Sequence, residues 1–356
     1  PLYSSAASDV YKRQGAIMLA IAIRMLLPVF NTLSRAPLSD PQYTPAVFDK
    51  EFSLVPRELI VSSGFVKDSI PALTDPQTIP GSEVASVNEE MHGKFLVSGD
   101  RVVGVELGGE ARAYPLSILN FHEVINDTLG GKPIAVTYSP WCDSVVVFDR
   151  EVDGEVLEFG VSGELYNSNL LMYDRRSDGT TESLWSQLML QAVTGPAARV
   201  GRRLTPLHCK LVHWADWFEA QPGTTVVSLD TGYVMEYGSN PFGAYYESSI
   251  TAFPVEPMPA GEDLPLMARI AAFEVTGHWL PYVYDTRKEF SAGGDPVSWM
   301  RDGLSFERVP HSQAMDPPTL AAETRDGGLP PVIYSFWFAW HAMYPETQAP
   351  LDATGP

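Results

Sequence analysis

Apolar and polar residues alternate along much of the chain, which is the pattern of β-strands that bury one face. The alternation over residues 95–116 is interrupted by Gly108 and Gly109, and such a glycine pair favours a hairpin turn. Two further apolar runs, residues 134–138 and 145–148, flank the turn Ser-Pro-Trp-Cys-Asp-Ser. Short apolar runs separated by turns predict a β-dominant α+β fold, made of antiparallel sheets with a few helices.

One helix is predicted between the first hairpin and this turn. Pro115 is suited to the first turn of a helix, and Gly130 with Gly131 is suited to its end. The segment between them contains the polar sequence His-Glu-Val-Ile-Asn-Asp, residues 122–127. On a helix its first and fifth residues lie side by side, as do its second and sixth. We therefore expect two adjacent polar stripes on one side of this helix.

The rest of the chain divides by composition. Residues 15–30 form an apolar run broken by Arg24, which predicts a secretory signal or membrane anchor. The residues before it begin without Met and resemble translated adapter sequence. The predicted organisation is 1–14 adapter-derived, 15–30 signal or anchor, 31–92 a lead-in rich in Pro and Ser, 93–230 a first repeat with the candidate site, 231–349 a second, degenerate repeat, and 350–356 a tail.

The two repeats are inferred from the tryptophans. The spacing W-x2-W-x4-P-x-T occurs twice, beginning at Trp214 and at Trp337. Each copy predicts an aromatic helix that ends before a proline. The second copy has no counterpart of the cysteine turn, so we expect two unequal internal repeats with the chemistry in the first.

The charge of the chain restricts its partners. A formal net charge of −20 disfavours nucleic acid and anionic membrane surfaces, because their phosphates would be repelled. We expect a small-molecule ligand or an envelope component as partner, and membrane contact only through the N-terminal segment. The expected location is periplasmic, extracellular or membrane-anchored and facing outward.

The turn after residue 138 presents Cys142 at the mouth of the predicted sheet, where backbone on both sides holds the thiol. A nucleophilic or redox cysteine needs a neighbouring base, and His122 is the nearest candidate along the chain. Glu123 or Asp127 would orient the imidazole. The candidate catalytic residues are Cys142, His122, Glu123 and Asp127.

Further polar side chains are predicted to line the same cleft. They come from the polar helix, from the cysteine turn and from the loop Phe-Gly-Val-Ser-Gly-Glu-Leu-Tyr-Asn-Ser-Asn. This loop is suited to lining a cleft and equally to forming an ordinary turn. The candidate ligand-binding residues are Asn126, Tyr138, Ser144, Ser162, Tyr166 and Asn167.

Two alternatives compete with thiol chemistry. Cys142 and Cys209 are the two cysteines of the chain, and in an exported protein they would form a structural disulfide. Alternatively, the cleft binds a ligand or a metal without turnover; zinc and copper are the candidate ions, but no regular ligand spacing assigns metal residues. The open hypotheses are a thiol-dependent enzyme, a ligand- or metal-binding module, and a structural envelope module with a disulfide.

Three segments carry a family resemblance. They are GEARAYPLSILNFHEVINDTLGGKPIAVTYSPWCDSVVVFDR, FGVSGELYNSNLLMYDRRSDGTTESLWSQ and FWFAWHAMYPET. In this order they resemble the bacterial and archaeal domain-of-unknown-function family 3179, over roughly residues 95–347. The resemblance implies an exported or envelope-associated protein and no established activity. Members of that family commonly have Cys-Pro-x-Cys in the turn, whereas Ser139 stands here in place of the first cysteine. A dithiol within this turn is therefore excluded.

Overall fold

The computed structural model describes residues 48–90, 95–176, 181–260, 264–286, 296–310, 317–347 and 350–352. The predicted adapter and signal segments lie outside these ranges. The helices are short, and each connects strands or follows directly after one. They are α1 (Val84–Glu90), α2 (Leu116–His122), α3 (Gly195–Arg199), α4 (Trp214–Ala220), α5 (Gly243–Tyr246) and α6 (Trp337–Met343), with 3-10 turns at Arg57–Leu59, Gly81–Glu83 and Pro140–Cys142.

Strands form most of the regular structure. In chain order they are β1 (Ile60–Ser62), β2 (Leu73–Thr74), β3 (Thr78–Pro80), β4 (Arg101–Leu107), β5 (Glu110–Pro115), β6 (Val124–Leu129), β7 (Lys132–Ser139), β8 (Ser144–Asp149), β9 (Glu151–Val152), β10 (Glu155–Val156), β11 (Phe159–Tyr166), β12 (Asn169–Asp174), β13 (Leu184–Ser186), β14 (Gln191–Ala192), β15 (Thr205–Leu207), β16 (Lys210–His213), β17 (Thr225–Val227), β18 (Arg269–Val275), β19 (His278–Asp285), β20 (Val297–Arg301), β21 (Leu304–Val309), β22 (Thr319–Thr324), β23 (Val332–Phe336) and β24 (Leu351–Asp352).

A nine-stranded sheet runs through the centre of the molecule in the order β2-β6-β7-β8-β23-β18-β19-β24, with β15 also paired to β8. One five-stranded sheet has the order β16-β4-β5-β17-β3, and another has the order β1-β11-β12-β13-β14. Strands β20, β21 and β22 form a smaller sheet, and β9 pairs with β10. Apolar residues of β7 and β8 are buried on both faces, so the central sheet lies within the core. The predicted β-dominant α+β fold class is confirmed.

The predicted polar helix is wrong beyond His122, where α2 ends. Glu123 has φ 56°, which breaks the helix, and β6 begins at the next residue. Strand β6 pairs antiparallel with β7, and Gly130 with Gly131 forms the turn of this hairpin. Because side chains alternate faces along a strand, residues 122–127 do not form two stripes on a helix surface.

The lead-in predicted at 31–92 is partly built into the domain. Strand β1 pairs with β11, β2 pairs with β6, and β3 pairs with β17. The described part of the lead-in therefore supplies edge strands to three sheets. No helix among the described residues is long and apolar enough to cross a membrane, and the exported location stays a prediction.

Two four-stranded units within the sheets have the same order and strand directions. The first unit is β16-β4-β5-β17 and the second unit is β23-β18-β19-β24; in each, two antiparallel pairs are followed by a parallel pair. In the first unit the indole of Trp217 donates to Thr224 Oγ1 at 3.0 Å. In the second, the indole of Trp340 donates to Thr347 Oγ1 at 3.1 Å. That these units descend from an internal repeat stays a prediction.

Candidate functional site

A cavity of about 280 Å³ lies where the start of β4, helix α2 and the segment after β17 meet. Its wall combines aromatic rings with amide, hydroxyl, carboxylate and guanidinium groups, the composition of a small-molecule site. The lining residues are Phe95, Gly99, Asp100, Arg101, Leu116, Ser117, Asn120, Tyr138, Tyr237, Gly238, Ser239, Asn240 and Tyr246.

Arg101 is held at the cavity by the carboxylate of Asp143, the residue after Cys142. Its Nη2 donates to Asp143 Oδ1 at 2.9 Å and its Nη1 to Oδ2 at 3.2 Å. Arg269 at the start of β18 donates from Nε to the same Oδ2 at 2.5 Å. Burial alone would raise the pKa of Asp143, but the two guanidinium groups hold it well below its usual range. The cysteine turn therefore positions a permanently charged carboxylate.

A left-handed backbone makes this arrangement possible. Asp143 has φ 43° and ψ 39°, a conformation that short polar side chains tolerate better than most non-glycine residues. It lies at the end of the 3-10 turn Pro140–Cys142, between the hairpin partners β7 and β8. The turn thus directs the carboxylate toward the first and second units, each of which contributes one arginine.

Two tyrosines connect Asp143 to the cavity wall. The phenol of Tyr138 donates to Asp143 Oδ1 at 2.8 Å. Its oxygen lies 2.7 Å from the hydroxyl of Tyr246, which donates because the Tyr138 proton is already engaged. Tyr138 is the predicted ligand-binding residue that the structure brings to the cavity.

Two residues of α2, Ser117 and Asn120, line the cavity, and each has a buried polar atom that lacks a hydrogen-bond partner in the described part of the chain. Asn120 is 9% exposed, and its Oδ1 is buried without a partner in the described part of the chain. Ser117, one turn earlier in the helix, has a buried Oγ that also lacks a hydrogen-bond partner among the described residues. Buried polar atoms are normally hydrogen-bonded, but these two oxygens have almost no accessible surface, so they do not face the cavity although their residues line it.

His122 reaches the cavity through Tyr237. The carbonyl of Pro71 accepts from His122 Nδ1 at 2.7 Å, which places the ring proton on that nitrogen. Nε2 is then free to accept the hydroxyl proton of Tyr237 at 2.6 Å, and Thr231 Oγ1 lies 2.6 Å from the same hydroxyl. Burial lowers the pKa of His122 to about 4, so the imidazole is neutral. These contacts position Tyr237; neither ring nitrogen contacts Cys142.

Glu123 is enclosed directly after α2. It is 5% exposed, its backbone N–H donates to Leu119 O at 2.8 Å, and its carbonyl accepts from Tyr138 N at 2.8 Å. Burial raises the pKa of its carboxyl to about 8, because the charged form would be poorly solvated. Glu123 is therefore mostly protonated at pH 7 and does not serve as the charged partner of His122.

Because Glu123 is buried, we expect the free energy of unfolding to fall as pH rises from 6.5 to 8. The pKa of Glu123 is about 8 in the folded protein and 4.5 ordinarily, so its contribution is complete below pH 4.5 and is lost as pH rises through 8. His122 acts in the opposite sense. Because its pKa is lowered, its contribution to the stability of the fold is lost as pH falls from 6.5 toward 4. The Glu123 effect amounts to about 2 kcal/mol between pH 6.5 and 8.

Urea denaturation of the wild type and Glu123→Gln at these two pH values measures the effect. The variant is expected to lose about 2 kcal/mol less than the wild type over this interval, because glutamine does not ionise. Equal losses in the two proteins would show that the carboxyl is already ionised at pH 6.5.

Cys142 is fully enclosed. Its Sγ donates to the carbonyl of Ser168 at 3.3 Å, and the residue has no exposed surface. Burial raises the pKa of the thiol, and hydrogen bonds with Asn169 and Ser139 oppose this only in part. Cys142 and Cys209 are both free, so the disulfide alternative is not formed. An enclosed neutral thiol without an adjacent imidazole lacks the geometry of an activated nucleophile.

The other predicted polar residues of this region hold the fold together. Asp127 accepts from Arg112 Nη1 at 2.6 Å and from the phenol of Tyr114 at 2.7 Å. The side-chain amide of Asn126 binds both backbone groups of Phe159. Its oxygen accepts from the N–H of Phe159 at 2.9 Å, and its nitrogen donates to the carbonyl of Phe159 at 2.8 Å. The predicted cleft around these two side chains is therefore a set of satisfied core contacts.

The remaining candidates also make internal contacts. Ser144 donates to Gln187 Oε1 at 2.6 Å, and Ser162 to the carbonyl of Leu171 at 2.5 Å. Asn167 binds the backbone of Glu256 through both ends of its amide, at 2.9 and 3.0 Å. These three candidates and Tyr166 are buried, and none lines the cavity.

Sequence reasoning missed most of the cavity. Arg101, Asn120, Tyr237 and Tyr246 belong to no motif, and their proximity depends on the sheet arrangement. Asp143 carried a signal, because an aspartate in a strand-to-strand turn is a candidate for left-handed backbone. Among the described residues, no group of three His, Cys, Asp or Glu side chains is placed to hold a metal ion.

The fold and the cavity define a β-rich domain with a small polar cavity at the edge of its first unit. The chain belongs to the family described as Protein of unknown function (DUF3179), whose model matches residues 67–347. No curated protein and no solved structure matches the chain.

Proposed function

We propose that this protein binds a small polar molecule in the cavity between β4, α2 and the segment after β17. The observation that carries the proposal is that three polar side chains fixed by other residues, Arg101, Tyr138 and Tyr237, surround one cavity.

The wall supports binding because its side chains are already ordered. Arg101 is fixed by two hydrogen bonds from its terminal nitrogens to Asp143, and Tyr138 by one to the same carboxylate. Tyr237 is fixed by His122. Side chains held in this way lose little conformational entropy when a ligand arrives, which favours affinity.

Binding accounts for these contacts better than thiol catalysis does. The sulfur of Cys142 is enclosed, and its hydrogen bond goes to a backbone carbonyl. The cavity wall does not include Cys142. We therefore propose a ligand-binding module and assign the thiol a packing role within the turn that presents Asp143.

A cavity-blocking variant tests the proposal. Ser117→Phe places a ring in the cavity, and Ser86→Phe on the exposed face of α1 is the matched control. Thermal denaturation is recorded with neutral sugars, polyols, amino acids, carboxylic acids and phosphate. We expect at least one class to raise the Tm of the wild type and of Ser86→Phe by about 3 °C or more at saturating concentration, and to leave Ser117→Phe unchanged.

A second variant covers the case in which Ser117→Phe does not fold. A Cβ added at Gly238 would meet no atom within 4 Å, so the backbone there has room for a side chain, and Gly238→Trp is expected to narrow the cavity that Gly238 lines. If no compound class stabilises the wild type, or if both blocked variants respond like the wild type, the cavity is not the binding site.

A further inference from the structure

We propose that residues 229–252, which we call the strap, open and close as one unit over the cavity and the cysteine turn. The strap follows β17 and precedes β18 in the chain. This inference goes beyond ligand binding, because the opening of the strap needs no ligand. It follows from how the strap is attached, from what it covers and from how its two ends are held.

The strap is attached to the domain through side chains and not through backbone pairing. Within the described part of the chain, no backbone-to-backbone hydrogen bond joins it to another segment. Its own backbone hydrogen bonds are local, such as the bond from Tyr246 N to the carbonyl of Phe242 at 3.0 Å. Segments that share few backbone hydrogen bonds with the core open at a lower free-energy cost than core strands do. The strap can therefore open while the sheets stay intact.

Two tyrosine hydroxyls fasten the strap at separate places. Tyr237 donates to His122 Nε2 at 2.6 Å, beside the cavity. Tyr245 donates to the carbonyl of Trp141 at 2.9 Å, beside the cysteine turn. Both tyrosines are buried in the closed arrangement of this structure. If the strap moves as a unit, breaking the contact at His122 also weakens the contact at Trp141.

The strap covers the cysteine turn with aromatic rings. The indole of Trp141 meets the edges of Phe242 and Tyr245, with ring centroids 5.0 and 5.3 Å apart. The pKa of the Tyr245 phenol is raised by burial and also by the neighbouring thiol of Cys142. The strap thus forms part of the enclosure of Cys142, and its opening would admit solvent to the sulfur.

The same strap forms one wall of the cavity. Tyr237, Gly238, Ser239, Asn240 and Tyr246 all line the space. Opening would remove this wall and leave the walls formed by β4 and α2 in place. One movement therefore controls access to the cavity and to the cysteine turn.

The two ends of the strap are held differently. After its last residue, the carbonyl of Phe253 accepts from Ser168 Oγ at 3.0 Å, and Asn167 binds both backbone groups of Glu256. Near its first residue, Gly232 has φ 80°, and a Cβ there would meet no atom within 4 Å. A glycine without neighbours can change its backbone angles easily. We assign the fixed end to the Asn167–Ser168 turn and the hinge to Gly232.

The two buried cysteines report on the opening. Cys209 lies between β15 and β16, which pair with β8 and β4, so its exposure requires strands to separate. The wild type is labelled with N-ethylmaleimide in increasing urea below the unfolding transition, and peptide mass spectrometry gives the initial rate at each thiol. We expect Cys142 to react about tenfold or more faster than Cys209, with a weaker dependence on urea, because less surface is exposed.

Two tyrosine variants show whether the strap is the element that opens. Tyr237→Phe removes the hydroxyl that binds His122; the matched control Tyr282→Phe removes a hydroxyl that donates to Asp302 Oδ2 at 2.8 Å in the second unit. We expect Tyr237→Phe to raise the rate at Cys142 about fivefold, because the lost bond exists only in the closed state. Tyr282→Phe should raise the rate at Cys209 alone, since strap opening leaves Tyr282 in place.

Three results would overturn the inference. A rate at Cys142 no higher than that at Cys209 would show that the thiol is reached only by global unfolding. Acceleration of both thiols by both variants would show the same. An unchanged rate at Cys142 in Tyr237→Phe would show that the cysteine turn opens without the strap. None of these results bears on ligand binding, because the labelling uses no ligand.

Discussion

Replacing Asp143 with alanine is expected to lower the free energy of unfolding by about 3–5 kcal/mol, because it leaves the largely buried Arg101 without its ion-pair partner and Arg269 with Asp285 alone. Arg101 and Arg269 both donate to this carboxylate, and the side chain of Asp143 has no exposed surface. Tyr138 loses its acceptor as well. Urea denaturation monitored by tryptophan fluorescence measures the change.

A matched control separates burial from the left-handed backbone. Asp153 has φ 53° in an exposed turn and pairs with Arg202, and its side chain is 71% exposed. Asp153→Ala is expected to cost about 1–2 kcal/mol, mostly from the backbone conformation. Asp143→Asn keeps a residue that tolerates this conformation and should still be less stable than the wild type. Equal losses for the two alanine variants would contradict the proposed role of Asp143.

Both cysteines are expected to resist thiol reagents in the native protein by a factor of about a thousand or more. Cys142 and Cys209 are free and buried, and burial raises the pKa of both thiols, that of Cys209 to about 12. Reaction then requires local or global opening, and an opening free energy of about 4 kcal/mol already slows it a thousandfold. The rate of colour release from a disulfide reagent, with and without guanidinium chloride, measures this protection.

The control for reagent quality is Ser86→Cys, which adds an exposed thiol on α1 and should react at the rate of a free cysteine. Denatured wild type without reductant should release two equivalents, since both thiols are free. Rapid native reaction at Cys142 would restore the thiol-enzyme hypothesis. Release of no thiol after denaturation would restore the disulfide.

The sheets could be predicted from the sequence because their pattern is local. Alternation around Gly108 and Gly109 corresponds to the β4–β5 hairpin. The same pattern surrounds Gly130 and Gly131, but the polar residues 122–127 predicted a helix that ends at these glycines. Pairing of β6 with β7, in which Ile125 faces Val136, determines the outcome. Here tertiary pairing overrides a local helix signal.

The candidate site was less predictable because its contacts are distant along the chain. Asn126 is satisfied by Phe159, 33 positions away, and Asn167 by Glu256, 89 positions away. Sequence alone cannot tell a satisfied buried amide from one whose residue lines a cavity. Asn120 was therefore missed, although its side chain differs from that of Asn126 only in what surrounds it.

The central claim is that the cavity beside Asn120 holds a small molecule, and ligand-detected NMR tests it most directly. Saturation-transfer spectra of sugars, polyols, amino acids and carboxylic acids, all of which carry C–H protons, are recorded with the wild type and with Ser117→Phe at equal concentration. The account predicts transfer to at least one of these compounds with the wild type, and its loss with Ser117→Phe. Transfer of equal strength with both proteins, or to no probe with either, would contradict the claim.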